Sequence, residues 1–388
     1  MKGSILCILL AWLVPAVAPA WQVTPAPSSQ SLAHEALASI PFEESGSSVF
    51  LPVRVNGSKP LWFILDSGAN TCLIDVGQAR QLGIKLAETK QGSSGGRPIP
   101  YFPIRKEDVS FQLQTIVFTC EHAAAIDYSQ NFAVTGHDLE GVIGSDFFER
   151  FVVEIDYEAR VVRLFDPQPY SYRGPGETIP LIFQRRLPHV EAELAVPGQP
   201  AQRKLLLIDS ASEDAVDDDI ILQSLGPKRE VTGGVGSAEE YRVTLGTISR
   251  FRLGNISLEN IPSVAPGVPL IGGEVLRRFT IAFDYSRGRM YWEPNRHLGD
   301  SFQTGDPSGI DLRMAMDRKA FLVHEVRKGS AAERAGLRTA DRIIAIDGVP
   351  AGELGLRRAV SLFSRRQAHY RLAVDRGGER LQFPIALD

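Results

Sequence analysis

The sequence predicts a mainly β protein: two homologous lobes forming a cleft, followed by a small α+β domain. Three observations predict it. An apolar run closing on an aspartate is written twice, as Leu61-Trp62-Phe63-Ile64-Leu65-Asp66-Ser67-Gly68 and Lys204-Leu205-Leu206-Leu207-Ile208-Asp209-Ser210-Ala211. The residues downstream of each aspartate also repeat in order. Asp75 and Asp218 come first, then Leu82-Gly83 and Leu225-Gly226, then Val142-Ile143-Gly144 and Leu270-Ile271-Gly272. Both copies then reach Arg-Phe and a strand ending in Asp-Tyr, at Asp156-Tyr157 and Asp284-Tyr285. A repeat of roughly 130–140 residues is too long for a solenoid unit and reads as two lobes. They are placed at residues 41–168 and 178–295. The third observation is a separate motif set in residues 309–388.

Composition bounds the function. The chain has 388 residues, 44% of them hydrophobic and 23% charged, as in a globular protein with room for more than one core. A net charge of −4 gives no footprint for nucleic acid. The seven histidines are scattered, with no His-Glu-x-x-His and no paired Cys-x-x-Cys. No metal and no cofactor is therefore expected.

Residues 1–20 read as a signal peptide. Lys2 supplies a positive start, Ile5 to Val14 an apolar stretch, and Ala18-Pro19-Ala20 a small-x-small cleavage site. The apolar stretch is short for a membrane span, which needs about 20 residues, so no span is expected after signal removal. The expected location is exported, periplasmic or secreted. Residues 21–40 form a Pro/Ser-rich tether. Cys7 leaves with the signal. Cys72 and Cys120 then remain, either as a bridge of an exported protein or as two buried thiols.

Each lobe is then built from short elements. Residues 49–55 alternate toward a turn at Asn56-Gly57, which precedes the run to Asp66 and signals a hairpin. Asp75 and Gly83 bound a short helix as cap residues, and Asp218 and Gly226 repeat the pair. Gly92 to Gly96 before Tyr101, and Gly233 to Gly236 before Tyr241, read as hairpin tips that can bend over a cleft. The stretch 92–96 also has the Gly-x-Ser-x-Gly form. A polar run precedes it, where a nucleophile elbow needs an apolar strand. Polar Gly/Pro stretches at 167–176 and 299–309 act as linkers, the second allowing independent movement of the last domain.

The chemistry lies in the two aspartate triplets. An aspartate on a tight turn lifts its carboxylate out of the sheet to meet its twin. Ser67 and Ser210 can donate hydroxyl hydrogen bonds that hold the two carboxylates coplanar. Gly68 and Ala211 let the turns approach closely, and Gly144 and Gly272 sit where a side chain would collide. Two carboxylates a few Å apart keep one proton between them. The charged member then deprotonates a water and the neutral member protonates a peptide carbonyl.

With these residues the chain resembles the aspartic peptidases. It is most similar to the bacterial retropepsin-like branch, fused in tandem as in pepsin, over roughly residues 41–295. The resemblance implies that Asp66 and Asp209 are catalytic. Ala211 departs from the glycine that usually stands third, and its methyl would add strain if the local φ is positive. One chain carries both half-sites, so a monomer suffices.

The last domain carries Phe321-Leu322-Val323, Lys328-Gly329-Ser330-Ala331-Ala332, Ala335-Gly336-Leu337 and Asp341 to Gly348. This resembles the PDZ domains of bacterial exported proteases, with Ala340 in place of the usual glycine. Residues 318–323 stand where that family's carboxylate-binding loop is expected, so Phe321, Leu322 and Val323 are the expected peptide-binding residues. The resemblance implies peptide capture by β-addition. Two functions are compatible with these residues: an exported aspartic endopeptidase acting on peptide or protein substrates, or a non-catalytic peptide-binding protein with a degenerate protease core.

Overall fold

Residues 35–94, 97–233, 241–302 and 306–387 are described by the computed structural model. The expected signal peptide, most of the tether, and residues 95–96 and 234–236 of the two glycine-rich hairpin tips lie outside them. The described residues are mainly β, with 46% strand and 14% helix.

Asn56 and Gly57 both take positive φ, 49° and 77°, between strands Ser48–Val55 and Leu61–Leu65. That geometry matches the twist of a two-residue hairpin, and Asn-Gly adopts it at low cost. The hairpin lies inside a ten-stranded sheet whose strand Gly141–Ile143 runs parallel to Leu61–Leu65. An eight-stranded sheet repeats the arrangement: Leu270–Ile271 runs parallel to Gln202–Ile208. A third sheet of six strands interleaves the two halves. Its central pair joins Val152–Asp156 antiparallel to Phe279–Asp284, the two strands that close on Asp-Tyr. One continuous core runs through these sheets, from Ile40 and Val49 to Phe279 and Trp292.

The caps agree with the sequence in one copy and differ in the other. Asp75 accepts from the Gln78 N–H at 3.0 Å and Gly83 takes φ +69° beyond helix Val76–Gln81. Asp218 caps a 3-10 turn, Asp219–Gln223, through the Ile220 N–H. Gly226 is not left-handed there, because the shorter turn closes earlier, at Ser224. Cys72 and Cys120 form a disulfide with Cα atoms 6.1 Å apart.

The C-terminal domain has its own sheet, ordered Ile310–Met314, Phe321–Val326, Arg342–Ile346, His369–Arg376, Glu379–Ala386, with its own core. That core includes a visitor. Phe132, from helix Asn131–Thr135 of the first half, is 9% exposed and packs among the domain's apolar residues. The expected independent movement gives way to direct packing against residues 131–138.

Candidate active site

The two aspartates stand on matching turns. The Asp66 N–H donates to Ile143 O at 2.9 Å, and the Asp209 N–H donates to Ile271 O at 3.0 Å. Each parallel two-strand unit thus fixes where its aspartate leaves the sheet. The Gly68 N–H donates to Asp66 Oδ1 at 2.7 Å. The Ala211 and Ser212 N–H groups donate to Asp209 Oδ1, both at 3.0 Å. The Asp209 carboxyl lies against Gly68 of the Asp66 turn, and the two carboxyls perturb each other. Burial, then the charge of Asp209, holds Asp66 well above the ordinary carboxylate range. Burial also raises Asp209, against the two backbone hydrogen bonds that favour its charged form. Two carboxyls raised in this way retain a proton where isolated aspartates have lost theirs.

Gly68 is required at its position. A Cβ there would lie 2.6 Å from Asp209 Cγ, so a methyl would push the two turns apart. Gly144 and Gly272 behave as the repeat suggested. A Cβ would meet Thr71 O at 2.2 Å in the first case and Asp214 O at 2.3 Å in the second.

Ser67 and Ser210 act differently from expectation. Both are fully buried. The Ser67 hydroxyl donates to Ile208 O at 2.7 Å and accepts from the Ser210 N–H at 3.0 Å. The Ser210 hydroxyl donates to Leu65 O at 2.8 Å and accepts from the Ser67 N–H at 3.0 Å. The hydroxyls therefore fasten each turn to the opposite strand and do not orient the carboxylates. Each side chain points across the junction, toward backbone groups of the opposite half.

Ala211 causes no strain, because its φ is not positive. Its methyl packs on an apolar cluster with Phe50, Ile64, Ile99, Tyr128 and Val142, and its carbonyl accepts from Ser48 Oγ at 3.1 Å. Tyr101 joins the same cluster from the hairpin Lys90–Ser94 and Arg97–Pro103. The paired carboxyls thus lie beside an apolar wall drawn mostly from the first half.

Sequence reasoning missed several neighbours. Burial, then the charges of Asp66 and Asp75, pushes the Tyr128 phenol well above its usual range, and Tyr128 belongs to the apolar cluster on which Ala211 packs. Its N–H donates to Asp75 Oδ2 at 3.1 Å. Burial, then the charge of Asp214, pushes Asp217 up to about 9, and Asp217 accepts from the Val264 N–H at 2.9 Å. Glu213-Asp214 and Asp217-Asp218-Asp219 form an acidic run after Asp209, a pattern that signals charge but not this burial. Tyr128 carried no local signal, because it reaches this cluster from a loop 62 positions beyond Asp66.

Phe321, Leu322 and Val323 do not form an open binding edge, which corrects the expectation. Their strand is paired with Ile310–Met314 on one side and Arg342–Ile346 on the other. Their backbone groups are committed to the sheet, so β-addition has nothing to join there. Among the described residues, the outer strands of this sheet are Ile310–Met314 and Glu379–Ala386.

Among the described residues, one group of potential metal ligands is close-set: Cys72, Cys120 and Asp146. Both sulfurs are joined in the disulfide. No described helix is long and apolar enough to cross a membrane.

Comparison with known families agrees with this geometry. Residues 51–147 match the aspartyl protease family, and residues 308–387 match the PDZ domain family. The chain therefore carries an aspartyl protease domain followed by a C-terminal PDZ domain. The first match contains Asp66 and Gly144 and ends before Asp209, so the second half enters through its geometry. No curated protein matches the chain.

Proposed function

We propose that the chain is an exported aspartic endopeptidase with two homologous lobes. Asp66 and Asp209 activate a water that attacks the scissile peptide carbonyl. The observation that carries this is that the two carboxyls stand on turns fastened to each other by Ser67 and Ser210, with Gly68 of one turn against the Asp209 carboxyl of the other. The shared proton gives one neutral and one charged carboxyl at the pH where the pair works. The charged member takes a proton from water as it attacks, and the neutral member gives its proton to the carbonyl oxygen. The partly exposed members of that apolar cluster, Tyr101 and Ala211 among them, are suited to substrate side chains beside the pair. The disulfide supports export, since such bridges persist in oxidising compartments. The PDZ domain takes peptide segments of substrates or partners.

The test is cleavage of a denatured protein at acidic pH by the mature chain, with and without a pepstatin-type inhibitor. Asp66→Asn and Asp209→Asn should each abolish cleavage. Cleavage retained in either variant would refute the dyad. A folded wild-type chain that binds peptides but cleaves none would favour a non-catalytic peptide-binding protein.

A further inference from the structure

The groove of the C-terminal domain lies between edge strand Ile310–Met314 and helix Leu356–Phe363, which packs beside it. Helix Asn131–Thr135 of the protease half packs against that same strand. Its Phe132 is buried among Leu312, Met314 and Leu356. The Arg318 guanidinium lies 4.2 Å from the Phe132 ring centroid and forms an ion pair with Asp138 at 2.5 Å. From the helix side, Arg357 Nε donates to Thr135 O at 3.2 Å. Gly136, at φ +69°, allows the closest approach: a Cβ there would meet Leu356 Cβ at 2.7 Å.

We propose that Phe132 is an internal occupant of the PDZ groove, displaceable by an extended peptide bearing a large apolar side chain. Three features favour displacement. The occupant is a five-residue helix, so it fills the groove with a side chain but adds no strand to Ile310–Met314. An extended peptide can supply the side chain and the main-chain hydrogen bonds together. Asn131 Oδ1 is buried without a hydrogen-bond partner, so the docked helix is imperfectly satisfied. The occupant's advantage is its tether, which acts as a high effective concentration.

Displacement would reach the dyad from both sides. Tyr128 precedes the helix, its carbonyl accepting from the Asn131 N–H at 2.9 Å, and it belongs to the apolar cluster on which Ala211, two positions beyond Asp209, packs. Arg357 also forms an ion pair with Glu213, four positions beyond Asp209. A peptide in the groove and residues 131–138 in their docked position are mutually exclusive. This goes beyond the peptidase reading, because it concerns occupancy of the groove whether or not the dyad cleaves.

The experiment uses the full mature chain with Asp66→Asn throughout, so that cleavage cannot consume the probe. The probe is a fluorescein-labelled synthetic peptide of residues 128–137, and the readout is fluorescence polarisation. Emptying the groove with Phe132→Ala should tighten probe binding at least tenfold, because apparent affinity scales with the fraction of open groove. Asp138→Asn, which loosens the tether outside the groove and outside the probe, should tighten it severalfold. A probe with Phe132 replaced by Ala should not bind. Equal affinity for the wild-type groove and both variants would overturn the proposal, as would absence of binding to all three. The Asp138→Asn arm keeps the test decisive if Phe132→Ala fails to fold.

Discussion

Ser67→Ala separates two roles for the buried hydroxyls. If Ser67 oriented the carboxylates, its loss would move the pH dependence of activity and leave stability nearly unchanged. The structure assigns it to fastening. Its Oγ serves the Ile208 carbonyl at 2.7 Å and the Ser210 N–H at 3.0 Å, in a site with no exposure. Alanine leaves both groups without that partner. An orphaned buried polar group costs about 1–3 kcal/mol, so two give roughly 2–6 kcal/mol. Most single substitutions cost about 1 kcal/mol, so the effect is measurable above background. The assay is urea denaturation of the mature wild-type and variant chains, monitored by far-UV circular dichroism. A drop of at least about 2 kcal/mol is expected, with little change in the shape of the pH–rate profile. A loss under about 0.5 kcal/mol with a shifted profile would refute the reasoning. Ser210→Ala should behave alike, because its hydroxyl serves Leu65 and Ser67 in the same way.

Four further outcomes are expected. Asp66→Asn should abolish cleavage while raising the unfolding midpoint slightly, since it removes like-charge repulsion in a buried pair; a destabilised variant would count against that repulsion. Ala211→Gly should lower stability by about 1 kcal/mol without raising activity, because the methyl fills an apolar cluster and does not obstruct the turns; higher turnover would mean that the methyl hinders. Asp217→Asn should flatten the dependence of stability on pH. With a folded pKa of about 9 against an ordinary 3.8, the folded state keeps a proton that the unfolded state has lost, so wild-type stability falls as pH rises between those values. The difference amounts to about 1.4 kcal/mol per pH unit, on the order of 4 kcal/mol from pH 5 to 8; parallel pH curves for variant and wild type would refute the burial of Asp217. Deleting residues 309–388 should impair cleavage of a short peptide as well as a protein, because it strips the cover from Phe132 and the ion-pair partner from Glu213. A loss confined to protein substrates would instead assign the domain to recruitment alone.

The sequence by itself determined the repeat, and through it the two aspartates, the strand before each and the glycines behind them. These are local requirements. An apolar run must precede a carboxylate that leaves a sheet, and only glycine fits where a Cβ would come within 2.2 Å of Thr71 O or 2.3 Å of Asp214 O. The PDZ domain was legible for the same reason, since its turns and caps fix residue types at short spacing. What only the tertiary structure decided are contacts between segments far apart in the chain. The Ser67 and Ser210 hydroxyls had a local reading, as carboxylate donors, and a distant one, as fasteners to the opposite strand; juxtaposition of the two turns selected the second. The choice between a bridge and free thiols for Cys72 and Cys120 rested on a 6.1 Å approach that no spacing encodes. Phe321–Val323 carry an apolar strand pattern that fits an edge or an interior strand equally, and pairing on both sides makes them interior. Phe132 lies in a short polar-flanked segment with no motif. Its place in another domain's core depends on how two independently patterned domains dock, which is set by surface shape and charge.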